Sequence, residues 1–158
     1  MKRGSILFLR AVLVLIGVGA LALLLWEPQT EGRNTNATTF EIYFKDPFLA
    51  YVYLASVALF VALYHAFKVL GYVGQSKMLS QASVKGLRTI KHCAMVIIGF
   101  VAGAELIIIL SRNDDPQGGF FMGVLIAFVA TVVATAMSVL ERTLQDAVDI
   151  KSEHDLTI

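Results

Sequence analysis

A single carboxylate interrupts an apolar run. In the stretch GFVAGAELIII, from Gly99 to Ile109, Glu105 is the one residue that is neither apolar nor small. Ionisable groups at membrane depth are costly, so they face protein or water and often mark a function. Glu105 lies roughly five positions, ~8 Å, below the far end of that run. On antiparallel helices, the residues at matching depth are Tyr53 and Ser56 of the second apolar run and Gly123 of the fourth. Arg112, seven residues further on, shares the face of Glu105 and is long enough to reach towards it. An orienting hydrogen bond is the simplest account of this carboxyl group. A proton or cation relay, or a ligand contact, is the alternative.

A second constellation offers metal-binding groups. His65 and Lys68 close the second run, His92 and Cys93 open the third, and Glu141 leaves the fourth. Two imidazoles, a thiol and a carboxylate are a set of zinc donors, but none of the four has the i,i+4 or CxxC spacing that zinc sites usually show. The expectation is therefore no metal and no cofactor. The sequence has no nucleophile elbow, no HExxH, no phosphate loop and no pair of carboxylates buried together, so no catalytic residue is assigned and an enzyme is not expected. Cys93 is the one cysteine, which excludes an internal disulfide.

The elements that must position these groups follow from composition. Of 158 residues, 57% are hydrophobic and 16% charged, with a mean hydropathy of +0.72. A soluble domain of this size rarely buries so much apolar surface, so the composition points to a membrane protein. A helix needs ~20 residues to cross the hydrocarbon. Four runs qualify, at about 6–26, 48–70, 90–110 and 119–140, leaving a loop at 71–89 and a tail at 141–158. The reading is a single all-α membrane domain, an antiparallel bundle of four transmembrane helices. Lys2, Arg3 and Arg10 ahead of an apolar core ending near Ala20-Leu21-Ala22 resemble a signal peptide. The run continues to full span length and an interfacial Trp26, which favours an uncut helix, with Arg10 snorkelling to the nearer surface.

Charge sets the orientation. Ten of the thirteen Lys and Arg residues, Lys2 to Arg10, Lys68 to Lys91, Arg142 and Lys151, fall on one side, and Arg33, Lys45 and Arg112 on the other. The positive-inside rule then places both termini in the cytoplasm. The net charge of +1 argues against nucleic acid as a direct partner. The outer connections end in Asp46-Pro47 and Asp115-Pro116, each an N-cap acceptor before a proline at the first helical position. Between Thr39 and Lys45, the aromatic residues read as a headgroup belt or a short extended piece, the belt being favoured. Asn36-Ala37-Thr38 matches a glycosylation sequon, a weak signal.

The polar segments are patterned too. Ser80 is a candidate N-cap, and beyond it Lys85, Arg88, Lys91 and His92 share one helix face while Val84, Leu87 and Ile90 share the other. With Lys77, these cations form a collar for anionic lipid or a docking surface for an acidic partner. One acidic candidate is the chain's own tail, where Glu141, Asp146, Asp149, Glu153 and Asp155 accompany an apolar stripe of Leu140, Leu144 and Val148. The fourth helix is expected to run on past the membrane, with its acidic face against the basic segment. Gly99 and Gly103 lie about 120° and 160° around the helix from Glu105. They suit close helix packing, as do Gly119 and Gly123 with Ala130 and Ala134, within one bundle or between copies in a homo-oligomer.

The segments SVKGLRTIKHC (Ser83–Cys93) and AVDIKSEHDLTI (Ala147–Ile158) resemble those of the small bacterial four-helix membrane proteins grouped as domain-of-unknown-function family 2975. The likeness covers essentially the whole chain, with His154 where the family pattern has asparagine. It implies a bacterial inner-membrane protein, commonly encoded beside a small helix-turn-helix regulator, and it supplies no catalytic motif. Two functional expectations result. One is a regulatory or adaptor protein presenting its cytoplasmic surface to such a regulator. The other is a small transporter, channel or toxin-immunity component using Glu105.

Overall fold

A computed structural model describes residues 3–30, 38–44, 47–111 and 116–156. They form five helices: α1 (Arg3–Thr30), α2 (Thr39–Phe44), α3 (Pro47–Gly74), α4 (Gln81–Ser111) and α5 (Pro116–Leu156). Four of these, all but the short α2, are long and apolar enough to cross a membrane. The long helices pack in chain order, α1 on α3, α3 on α4 and α4 on α5, with α2 set against α1 and α3. Each runs antiparallel to the one before. The start of α1, the end of α3, the start of α4 and the end of α5 therefore gather at one end, the polar end. Arg112, the expected caps Asp46 and Asp115, and Asn36 of the sequon lie outside the described residues.

The α4–α5 pair dominates the architecture, and its sequence explains why. On α5, Gly123, Ala127, Ala130, Ala134, Met137, Glu141, Leu144 and Val148 recur at alternating spacings of four and three, and all are buried or half-buried. On α4, Val84, Leu87, Lys91, Ala94, Ile98, Val101, Glu105 and Ile108 repeat the same rhythm, again buried or half-buried. This is the seven-residue repeat that keeps one stripe of a helix facing its partner. The stripe on α5 is made of small residues where the helix is apolar and of large ones beyond it. The two halves are therefore held differently. Between apolar helices in lipid, close van der Waals packing of small residues drives association. At the polar end Val84, Leu87, Leu144 and Val148 form a buried cluster with Val69 and Met137 against it, where each side chain withdrawn from water contributes ~1.5–3 kcal/mol. Leu140 does not join the stripe. It is exposed, and Glu141 takes the seam position instead.

The helix ends differ from the sequence reading in informative ways. Segment 71–89 is mostly helical: α3 continues to Gly74 and α4 begins at Gln81, leaving a connection of six residues at 75–80. Its geometry is a C-cap motif in which Lys77 N–H donates to Tyr72 O at 2.9 Å and Ser76 N–H to Val73 O at 3.2 Å. Ser76 occupies the left-handed position, with φ 57°. Ser80 does cap α4, its Oγ accepting from Ser83 N–H at 3.3 Å. The fourth span runs far past the apolar stretch as expected, α5 having 41 residues, about 61 Å against ~30 Å of hydrocarbon.

Two further helix ends add to the sequence reading. Segment 39–44 is a helix, not an extended piece, because Thr38 and Glu41 form a reciprocal cap. Glu41 N–H donates to Thr38 Oγ1 at 3.4 Å and Thr38 N–H to Glu41 Oε2 at 3.2 Å. Phe40 and Phe44 stack with ring centroids 5.0 Å apart and stand 67% and 77% exposed, as an aromatic belt requires. The first helix continues through Pro28 to Thr30. Proline has no N–H, so the carbonyl of Leu24 loses its helical donor. The hydroxyl of Tyr53 supplies the replacement, donating to Leu24 O at 3.0 Å.

Candidate functional site

The α4–α5 seam carries both carboxylates singled out from sequence, and it treats them in opposite ways. At the polar end, Glu141 receives Arg88 Nε on Oε1 at 2.6 Å and Lys91 Nζ on Oε2 at 2.5 Å. Its side chain is 10% exposed, that of Lys91 23% and that of Arg88 53%. A buried carboxylate with both oxygens engaged by cations keeps its charge. The hydrogen bonds from Lys91 and Arg88 hold the Glu141 carboxyl below the usual carboxylate range, against the opposing effect of burial. The basic segment and the tail thus meet through this triad. Lys77, Lys85, Asp146, Asp149 and Glu153 lie on exposed faces, Asp149 accepting from Gln145 on its own helix at 2.8 Å.

In the apolar part, Glu105 is half-buried and turned towards α5. Its Oε1 rests against Gly123 in the space a β-carbon there would occupy. Oε2 is buried and has no hydrogen-bond partner among the described residues. The expected neighbour Gly123 is therefore correct, and its lack of a side chain is what admits the carboxyl group.

The other expected neighbours are elsewhere. Tyr53 serves the α1 carbonyl freed by Pro28, and Ser56 Oγ donates to Tyr53 O of its own helix at 2.7 Å. The physical reason is that α4 lies between α3 and α5, and Glu105 faces away from α3. The α3 residue that does reach α4 is Tyr51, whose hydroxyl donates to Phe100 O at 2.8 Å and packs against Gly103. Tyr51 and Tyr53 stand about 160° apart around their helix, so one serves α4 and the other α1. The sequence reading missed Tyr51, and the signal that would have found it was a tyrosine at matching depth opposite a glycine.

Among the glycines, Gly103, Gly119 and Gly123 all make close helix contacts, Gly119 with Ile108 and Gly123 also with Val101. Gly99 is exposed, with nothing within 4 Å of the place a β-carbon would take, so it makes no close helix contact among the described residues. Two contacts were not anticipated: Gly86 against Val69, and buried Gly71 against the guanidinium of Arg10, which also lies 4.8 Å over the Phe67 ring. Arg10 is thus held between α1 and α3.

The zinc-donor set does not assemble. Both oxygens of Glu141 are engaged, and His92 Nδ1 lies 2.7 Å from Arg88 O one turn back. No group of three or more His, Cys, Asp or Glu residues able to hold a metal occurs among the described residues. His65 instead lines a cleft between α3 and α4 with Lys68, Tyr72 and Lys85.

Four helices long and apolar enough to cross a membrane define a polytopic membrane protein. Residues 32–158 match the family described as protein of unknown function DUF2975. The chain belongs to that family. It is also 37% identical, over the full length of both chains, to the "Uncharacterized membrane protein YoaS" of Bacillus subtilis strain 168. No solved structure matches it.

Proposed function

We propose that this chain is a non-enzymatic adaptor of a bacterial inner membrane. The paired ends of α4 and α5 present a folded polar surface to a cytoplasmic protein, such as a small helix-turn-helix regulator. The observation that carries this reading is where the packing is invested. The buried apolar cluster and the Glu141–Arg88–Lys91 triad lie at the polar end, beyond the apolar half of the seam. A segment needed solely to span lipid gains nothing from such a core. The excess of Lys and Arg at that end supports a cytoplasmic placement, and the exposed Lys77, Lys85, Asp146 and Asp149 offer a mixed-charge face for recognition.

The test is co-purification of the full chain from its native host in mild detergent, comparing Asp146→Lys with Asp149→Lys against Glu105→Gln. Loss of a co-eluting cytoplasmic protein in the first variant and its retention in the second is the expected outcome. Cysteine labelling from one side of the membrane at positions 33 and 85 should reach one and not the other.

A second reading rests on Glu105 Oε2, buried and without a hydrogen-bond partner among the described residues, as a carboxyl oxygen for a proton, cation or ligand path in a transporter, channel or immunity component. Glu105→Gln that abolishes an ion or toxin phenotype while partner binding survives would select it.

A further inference from the structure

We infer that the cleft between α3 and α4 at the polar end is a binding site for the phosphate headgroup of an anionic phospholipid. It has a volume of about 190 Å³ and is lined by His65, Lys68, Val69 and Tyr72 of α3 and by Ala82, Lys85 and Gly86 of α4. Its lining residues include two lysines, a histidine and a tyrosine, and no carboxylate is among them. This sets it apart from the neighbouring cations Arg88 and Lys91, which share the carboxylate of Glu141 and are partly neutralised by it.

The floor is shaped by Gly86. A β-carbon there would fall 2.5 Å from Val69 Cγ2, so α4 approaches α3 closely beneath the basic rim. Ala82 belongs to the first turn of α4, where the helix dipole adds further positive potential. The depth suits a lipid. His65 and Lys68 lie within the last two turns of the second apolar run, at its polar end, where headgroups are expected. One turn towards the middle of α3, Val61 and Tyr64 are exposed and offer an apolar flank for the acyl chains. A soluble anion would use the rim and leave that flank idle; a phospholipid uses both. Basic pockets between spans at such a level are a general means of holding acidic headgroups.

The test uses the purified full chain in a neutral detergent, with native mass spectrometry reading retained lipid from mixtures of phosphatidylglycerol and phosphatidylcholine. Wild-type chain is expected to retain phosphatidylglycerol selectively. Lys68→Gln combined with Lys85→Gln should weaken that binding roughly 30-fold, two surface cations' worth. Arg142→Gln combined with Lys151→Gln removes the same charge from the polar end outside the cleft and should leave binding nearly unchanged. Equal retention of the two lipids, or equal weakening by the two double variants, would overturn the proposal. So would displacement of phosphatidylglycerol by equimolar inorganic phosphate, which would assign the cleft to a free anion.

Discussion

At the polar end of the α4–α5 seam a glutamate is gripped by two cations, and in its apolar half another glutamate is set against a glycine with one oxygen unpaired among the described residues. Both occupy positions that the seven-residue repeat turns inward, so their burial has the same origin. The contrast lies in what the opposite helix offers. Around Glu141 the local chain is rich in long cationic side chains that reach from water into the seam. Around Glu105 the neighbours are small, because close packing is what holds helices together in lipid, and a small neighbour brings no hydrogen bond. The first carboxylate is a structural clasp. The second is held in place by shape.

The largest expected effect concerns the two halves themselves. Leu144→Ala hollows the water-facing cluster and should cost about 2–5 kcal/mol, read by thermal unfolding in detergent micelles. A negligible loss would mean that the polar end contributes little and that the contrast in forces is wrong. Gly123→Leu comes next. Its side chain needs the space of the Glu105 carboxyl, and the overpacking should cost about 1–3 kcal/mol. Adding Glu105→Ala should recover much of it, since residues in contact are not additive. Plain additivity in that double variant would show that the two do not touch.

The same change at both glutamates then sharpens the comparison. Glu141→Gln should destabilise by about 1–2 kcal/mol, below the figure for a fully buried pair because Arg88 is more than half exposed. Glu105→Gln should leave the unfolding temperature unchanged or raise it. The smallest effect is a pH dependence. Because the Glu141 carboxyl titrates below its unfolded value, its stabilising contribution is complete above the unfolded pKa of ~4.3 and is lost as pH falls through the lower folded value. Wild-type chain should therefore lose more stability than Glu141→Gln between about pH 5 and 3. Parallel acid profiles would break the clasp reading.

Part of this was legible in the residues. The Ser80 cap, the extension of the last helix past the membrane, and the meeting of tail and basic segment all follow from periodicity and charge within a few turns of one helix. Thr38-Thr39-Phe40-Glu41 carries an equally readable capping box, set within an aromatic-rich stretch. The link between Pro28 and Tyr53 was out of reach, because a carbonyl freed on one helix says nothing of which distant hydroxyl will come to it. Tyr51 and Tyr53 are the same residue type two positions apart, and their separate roles depend on which helix lies on each side of α3.

The amino-acid order alone determined that lipid surrounds four helices here, because hydrophobic run length and charge placement are local quantities that the bilayer reads directly. Which side chains meet was decided in three dimensions. Setting α4 between α3 and α5 gave Glu141 its cations, Glu105 its glycine, and His65, Lys68 and Lys85 their common cleft, since rotation of a helix about its axis is settled by its neighbours and not by its own sequence.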